Sequence, residues 1–297
     1  MRVTFATPFR NGVADINRAA EALVERQREV STGRRVHAAS DDPAAAPAIL
    51  AERAQMRAID QYVRATDSVE SRLRVVDSTL THVIQTLTAA QTTVAAASNS
   101  FLTPQQRQAL SLELRSLRDT VLADVNTQYR GQYIFSGART DTTPYAEVAG
   151  AVQAYAGDAT EVAIDIDRGR AVGVTFDGDS LVRGSDASGL FEVFDALAQA
   201  AATGDLAGLD QGMAALQRAF DRFTAAQSRV GAGLSDLDDH RQRLGDMERA
   251  SDARRGSLED ANLAEAITGM QQADAAHRAA IGAVSQATRL SLFDFLR

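Results

Sequence analysis

Between Leu73 and Ala97 apolar residues recur at alternating intervals of three and four: Leu73, Val76, Leu80, Val83, Leu87, Ala90, Val94 and Ala97. A heptad stripe held this long is the pattern of a helix packed lengthwise against other long helices, since this period keeps one face turned to its partner. The residues between, among them Arg72, Arg74, Asp77, Thr81, His82 and Gln85, are polar. One helix cannot hide such a stripe from water, so the rest of the chain must supply what covers it. Aromatics make up only 5% of the 297 residues and there is no Trp, so burial falls to Ala, Leu and Val. Ala-rich helices pack closely and suit a bundle better than a ligand pocket.

The flanking segments carry the same period. From Val13 a stripe of Val13, Ile16, Ala20, Leu23, Gln27 and Val30 runs to Gly33, a C-terminal cap. Residues 1–12, with Pro8 and Gly12, read against a helix. After a loop, Ser40-Asp41-Asp42-Pro43 marks a helix start, with the regular helix beginning nearer Pro47 and running to Ser98. At about 1.5 Å per residue that helix is roughly 75–80 Å long. It breaks at 99–102, and Thr103-Pro104-Gln105-Gln106 restarts the period with a cap, a first-turn proline and a capping-box glutamine. Leu110, Leu114, Leu117, Val121 and Val125 continue it, making 47–128 an antiparallel helical hairpin.

At Gly131 the period changes. Tyr133-Ile134-Phe135-Ser136-Gly137 precedes three strand-like runs at 152–155, 161–167 and 172–176. Val162, Ile164 and Ile166 alternate with Ala163, Asp165 and Asp167, the mark of a half-buried strand. Asp167-Arg168-Gly169-Arg170 and Asp177-Gly178-Asp179 supply turns. Helical period returns at Leu190–Leu197 and Leu209–Phe223, separated at Gly204-Asp205. A further helix from Val230 carries Leu234, Leu237 and Leu244, with Gly231, Gly233 and Gly256 as weak points, and a C-terminal stripe follows from Leu263 to Val284.

The fold class is therefore mainly α with a small β insertion, an elongated antiparallel rod or coiled coil of N- and C-terminal segments with a β-rich domain in the middle. The segments are an N-terminal assembly arm (1–42), a helical hairpin (43–137), the insertion (138–188), further rod helices (189–256) and a C-terminal assembly arm (257–297). The rod core is Leu73, Val76, Leu80, Val83 and Leu87 with Leu114, Leu117 and Val121. The arms leave apolar stripes open: Val13, Ile16, Leu23, Val30, Leu263, Ile267, Met270, Ile281 and Val284, and Phe293 and Phe295 of the tail. Only neighbouring subunits could bury these, so the chain reads as an assembly unit.

Catalytic and cofactor chemistry finds no footing. His37, His82, His240 and His277 are far apart, with no metal-binding spacing, and His277 on the apolar stripe is a packing residue. There is no cysteine, and without lysine no phosphate-binding loop of the Gly-Lys type can exist. Asp158, Asp165, Asp167, Asp177 and Asp179 crowd the insertion, but their spacing matches no calcium loop and turn-forming aspartate accounts for them. Gly231-Ala232-Gly233 is a helix joint rather than a phosphate cradle. Net charge is −8 with all 31 basic residues Arg, which repels nucleic acid on average. Arg34-Arg35 is a solvated pair, or a contact for an acidic partner. No run is long and apolar enough to span a bilayer, and the N-terminus lacks a secretory leader, so anything beyond the cytoplasm needs another export route.

Three stretches together resemble the flagellin superfamily: Ser31-Thr32-Gly33-Arg34-Arg35-Val36-His37-Ala38-Ala39-Ser40-Asp41-Asp42-Pro43-Ala44, then Gly131-Gln132-Tyr133-Ile134-Phe135-Ser136-Gly137 with Pro144-Tyr145, then Glu259-Asp260-Ala261-Asn262-Leu263-Ala264-Glu265-Ala266 with the tail Ser291–Arg297. The second stretch and the tail are similar to the branch of that family found at the hook–filament junction. Asn262 departs from the family's usual Asp. The resemblance implies a non-enzymatic subunit of the bacterial flagellum, outside the cell, exported through the flagellar type III channel with a cytoplasmic chaperone. It implies a homo-oligomeric ring between hook-associated protein 1 and the flagellin filament, with the terminal helices coiled in an inner tube and the insertion facing outward. No cofactor, metal, nucleic acid or membrane partner is implied. The stripes of the two arms are then expected to pair only in the ring, the arms being mostly disordered before it. Flagellin itself is the nearest alternative and a non-flagellar coiled-coil adaptor the next.

Overall fold

The computed structural model describes residues 6–295, with side chains from 10 to 286. Helix α1 spans Ala6–Thr32, α2 Ala46–Ala97 and α3 Pro104–Val125; after a β-rich stretch come α4 (Gly178–Val182), α5 (Leu190–Thr203), α6 (Leu206–Glu259) and α7 (Leu263–Phe295). The chain is thus mainly α-helical, and local chemistry explains the helix ends. Gly33 takes φ +68°, the left-handed value that closes α1 and that glycine adopts without strain. Thr103 accepts from the Gln106 amide (3.3 Å) while Gln106 accepts from that of Thr103 (2.8 Å), a complete capping box with Pro104 behind it. Gly204, at φ +76°, separates α5 from α6.

Two boundaries differ from the sequence reading. Helix α1 begins at Ala6, before Pro8 and Gly12. Pro8 falls in the first turn, where the missing N–H has no helical partner to lose. Gly12 is a packing site: a Cβ there would lie 2.6 Å from a methyl of Val284 on α7. Helix α6 is unbroken through Gly231 and Gly233. A helical glycine costs about 1 kcal/mol, less than is gained by burying Val230, Leu237 and Leu244 of the same helix.

The chain forms two compact units, one of residues 1–58 and 246–297 and the other of 59–245, and α2 and α6 each contribute to both. In the unit of 59–245 every stripe residue from Leu73 to Ala97 is at most 2% exposed. Two hydrogen bonds register α2 against α3: Thr93 donates to Glu113 (3.2 Å) and His82 meets Asp124 (2.7 Å). Moving back along α2 from one bond to the other advances the same distance along α3, so the pair is antiparallel. Gln91–Gln217 (3.2 Å) and Gln227–Thr81 (2.7 Å) register α2 against α6 in the same sense. Leu114, Val121, Leu216, Phe223 and Phe194 close the core, and Leu117 is half-buried against it.

The β-rich part consists of three antiparallel hairpins: β1 (Gln128–Tyr129) with β2 (Gln132–Tyr133), β3 (Glu147–Val148) with β4 (Ala151–Val152), and β5 (Ala163–Asp167) with β6 (Arg170–Gly173). The last turns at Arg168-Gly169, within the turn read from sequence. The first two turn at Arg130-Gly131 and Ala149-Gly150, with positive φ at all four residues. Such a turn favours Asn or Asp before the glycine, so Arg and Ala hide it from sequence inspection. The strand-like runs are shorter than read: Tyr155 lies outside a strand, its ring 5.4 Å from that of Tyr145, and Asp177 caps α4. Ile134 and Phe135 are buried in a bend, and Gly137 is obligatory there because a Cβ would lie 2.0 Å from the Asp158 carbonyl oxygen.

Candidate assembly surface and its joint

Helices α1 and α7 lie against each other within one unit of a single chain. Gly12 meets Val284 at one level, and the Arg26 side chain passes over Gly269 at another, so the two helices run antiparallel. The two arms thus face each other within one chain, and small residues on both helices let them approach closely. The pairing does not consume their apolar surface. Val13 is 39% exposed, Leu263 53%, Ile267 42% and Ile281 47%, while Ile16, Leu23, Val30, Met270 and Val284 are half-buried. Phe293 and Phe295 fall in the last turn of α7, and their side chains lie outside the described ones.

The base of the arms is a polar joint that the sequence reading did not assemble. The Glu259 carboxylate, at the end of α6, is fully buried. It receives Arg53 of α2 at 2.6 Å, Arg255 one turn back at 3.1 Å, and Arg34 of the α1–α2 loop at 3.8 Å. Backbone bonds zip the same place. The Arg35 amide donates to the Glu259 carbonyl (2.7 Å) and the Ala261 amide to the Gly33 carbonyl (2.9 Å), and Arg34 and Asp260 form an isolated β-bridge. Arg35 also donates to the Leu258 carbonyl and pairs with Asp42, both at 3.1 Å. Arg34 and Arg35 are thus engaged within the chain, although each remains about half exposed. The first and third motif stretches meet here.

Neighbouring carboxylates are electrostatically tuned. Backbone amides of Ala38 and His37 hold Asp41 below the ordinary 3.8, and the Ala45 amide with Arg35 does the same for Asp42. Glu52 is lowered from 4.5 by Arg254 and Ser251 of α6. Beside the joint, a groove of about 820 Å³ runs between the second half of α1, the loop and the start of α7, lined by Val24, Glu25, Arg28, His37, Asn262 and Glu265 among others.

The remaining polar candidates serve the fold. His240 is buried, with Nε2 3.0 Å from the Ile166 carbonyl, which ties β5 to α6. Asp158 accepts from the Ala138 and Thr160 amides, Asp167 from that of Arg168, and Asp177 caps α4. Among the described residues no group of three His, Asp or Glu side chains could hold a metal ion. No helix among them is long and apolar enough to cross a membrane.

Comparison with known proteins follows the same pattern. Residues 10–140 match the bacterial flagellin N-terminal helical region. The chain is 27% identical over 183 residues to flagellar hook-associated protein 3 of Escherichia coli, covering 61% of this chain and 56% of that protein. The match thus spans little more than half the length of that relative. Among solved structures, a candidate flagellar hook-associated protein of Vibrio parahaemolyticus superposes with a TM-score of 0.69 at 22% identity, over 74% of this chain and all of the other. The flagellar junction protein FlgL of Legionella pneumophila superposes at 0.61 with 16% identity, over 72% of this chain and all of its own. At these identities the likeness concerns the fold.

Proposed function

We propose that this chain is a member of the flagellin superfamily and a structural subunit of the bacterial flagellum that forms the ring between hook-associated protein 1 and the flagellin filament. The observation that carries the reading is the apolar surface left open on the paired arms, at Val13, Leu263, Ile267 and Ile281. Apolar residues that their own helix pair leaves in water are stabilised when a neighbouring subunit covers them. The hook-associated name of the E. coli relative and the junction name of the Legionella structure support the position in the flagellum.

On this reading the chain works by packing rather than by catalysis, binds no cofactor and acts outside the cell. It leaves the cytoplasm through the flagellar type III channel with a chaperone. The five-segment division gives the arms (1–42 and 257–297) the subunit contacts and the insertion (138–188) the outer surface.

The test is electron microscopy of purified protein in precipitant salt, with and without flagellin monomers, beside complementation of a strain lacking its junction protein. Incorporation at hook–filament boundaries without self-filaments is the expected result. Long filaments of this protein alone would make it a flagellin instead.

A further inference from the structure

We propose that the α2–α3 turn presents Phe101 as a plug for the groove between α5 and α6 of a second copy of this chain, so that copies join side by side. The inference rests on the ring reading above and adds to it a contact outside the arms. Phe101 is 90% exposed, the highest value among the described large apolar side chains. Its turn is braced on both sides. The Asn99 side chain accepts from the Phe101 amide (3.0 Å) and the Asn99 carbonyl from that of Leu102 (3.4 Å), while the Thr103 capping box fixes the start of α3. A held backbone that points an aromatic ring into water has already met an ordering cost that binding would otherwise add. Large side chains seated in well-packed pockets carry most of the energy of an interface.

A groove that fits this ring lies on the same unit. About 520 Å³ of open volume runs between α5 and α6, with Val193, Ala196, Gly212 and Ala215 among its lining. A Cβ on Gly212 would lie 2.3 Å from a Leu197 methyl, so α6 approaches α5 closely with no side chain of its own at that point. Charge is matched as well. The groove carries Asp186, Glu192 and Asp205 against one cation, Arg218, which Asp186 already holds at 2.8 Å. Arg107, in the first turn of α3 beside the plug, brings the opposite charge, and its Nε has no hydrogen-bond partner.

Position decides how the copies are related. A Cβ on Gly204 would lie 2.4 Å from the Arg107 guanidinium, so the α5–α6 turn sits beside the start of α3. Plug and groove are thus at the same end of the unit of 59–245. Seating one in the other sets neighbours at one level rather than end on end. Each copy offers one plug and one groove, and a repeated contact between two different surfaces closes into a ring when its rotation permits.

Photocrosslinking of the full chain tests this, with Phe101 replaced by the photoreactive analogue p-benzoylphenylalanine, which keeps an aromatic plug. Light and isotope-labelled copies are mixed, so that mass spectrometry separates adducts between copies from those within one. Adducts from position 101 to 192–218 of another copy are expected, both in flagella and in assemblies driven by precipitant salt. Their absence from both preparations, or adducts only within one copy, to its arms or to flagellin, would overturn the inference. Phe101→Ala and Ala196→Trp, one removing the plug and the other filling the groove, are each expected to lower incorporation at hook–filament boundaries by about tenfold or more, the scale of a lost interface anchor. Both positions are exposed, so thermal melts should stay as in wild type; unchanged incorporation of both variants would also overturn the inference. A chain that crosslinks as stated yet never reaches the boundary would sink the ring reading alone.

Discussion

Val36, Ala46, Ile49 and Ala266 are the buried apolar residues among the described parts of 1–58 and 246–297, whereas those from Ile59 to Leu244, including Phe135, Phe194 and Phe223, all fall in 59–245. The second unit has what a self-sufficient domain needs, a contiguous apolar core closed on several sides. The first has two helices side by side, a polar joint and apolar residues still facing water. Ion pairs and backbone hydrogen bonds set the geometry of that joint. Ion pairs give geometry and little net stability. The unit of 59–245 closes its own apolar core, whereas that of 1–58 and 246–297 leaves apolar residues in water, as a subunit completed by neighbours would on the proposed reading.

The largest expected effect falls on the finished unit. Leu80 is fully buried in the α2 stripe, and Leu80→Asp both opens a cavity and buries a charge, at about 4 kcal/mol or more. Thermal unfolding followed by circular dichroism should show collapse of most of the helical signal. Retention of a wild-type melt would mean the two units do not differ as described.

Acid should separate the units next. Asp41, Asp42 and Glu52 are all held below their ordinary values of 3.8 and 4.5. As the pH falls, the unfolded chain takes up these protons before the folded one does. The stability these groups lend is therefore complete above their ordinary values and is lost as the pH drops through the lower, folded ones. Asp158 and Asp186 are lowered in the unit of 59–245 as well, but its apolar core does not titrate. Below about pH 4.5, exchange of 10–32 and 264–286 should rise first, with 69–125 following at lower pH. Simultaneous loss would count against a charge-held first unit.

The smallest effect on the single chain is expected at Ile281, 47% exposed on α7. Ile281→Asp should change stability by no more than about 0.5 kcal/mol, as at other surface positions, while abolishing incorporation at hook–filament boundaries. Normal incorporation would remove that face from the assembly surface.

Period, capping and turn chemistry act over a few residues, so the helical class, the heptad stripe of α2, the Thr103 capping box and the hairpin at Arg168-Gly169 were legible in the residues alone. It could also mark the apolar faces of the arms, because a stripe is visible whether or not anything covers it. Two hairpins escaped because Arg130 and Ala149 take positive φ that their side chains do not advertise, and α6 ran on through glycines because burial outweighed their cost. The joint emerged only from the folded chain. Arg53 and Glu259 are 206 residues apart, and Arg35 and Leu258 are 223 apart. Ion pairing carries no sequence period: a buried Glu259 and a solvated one are the same letter until folding brings Arg34 and Arg53 to it.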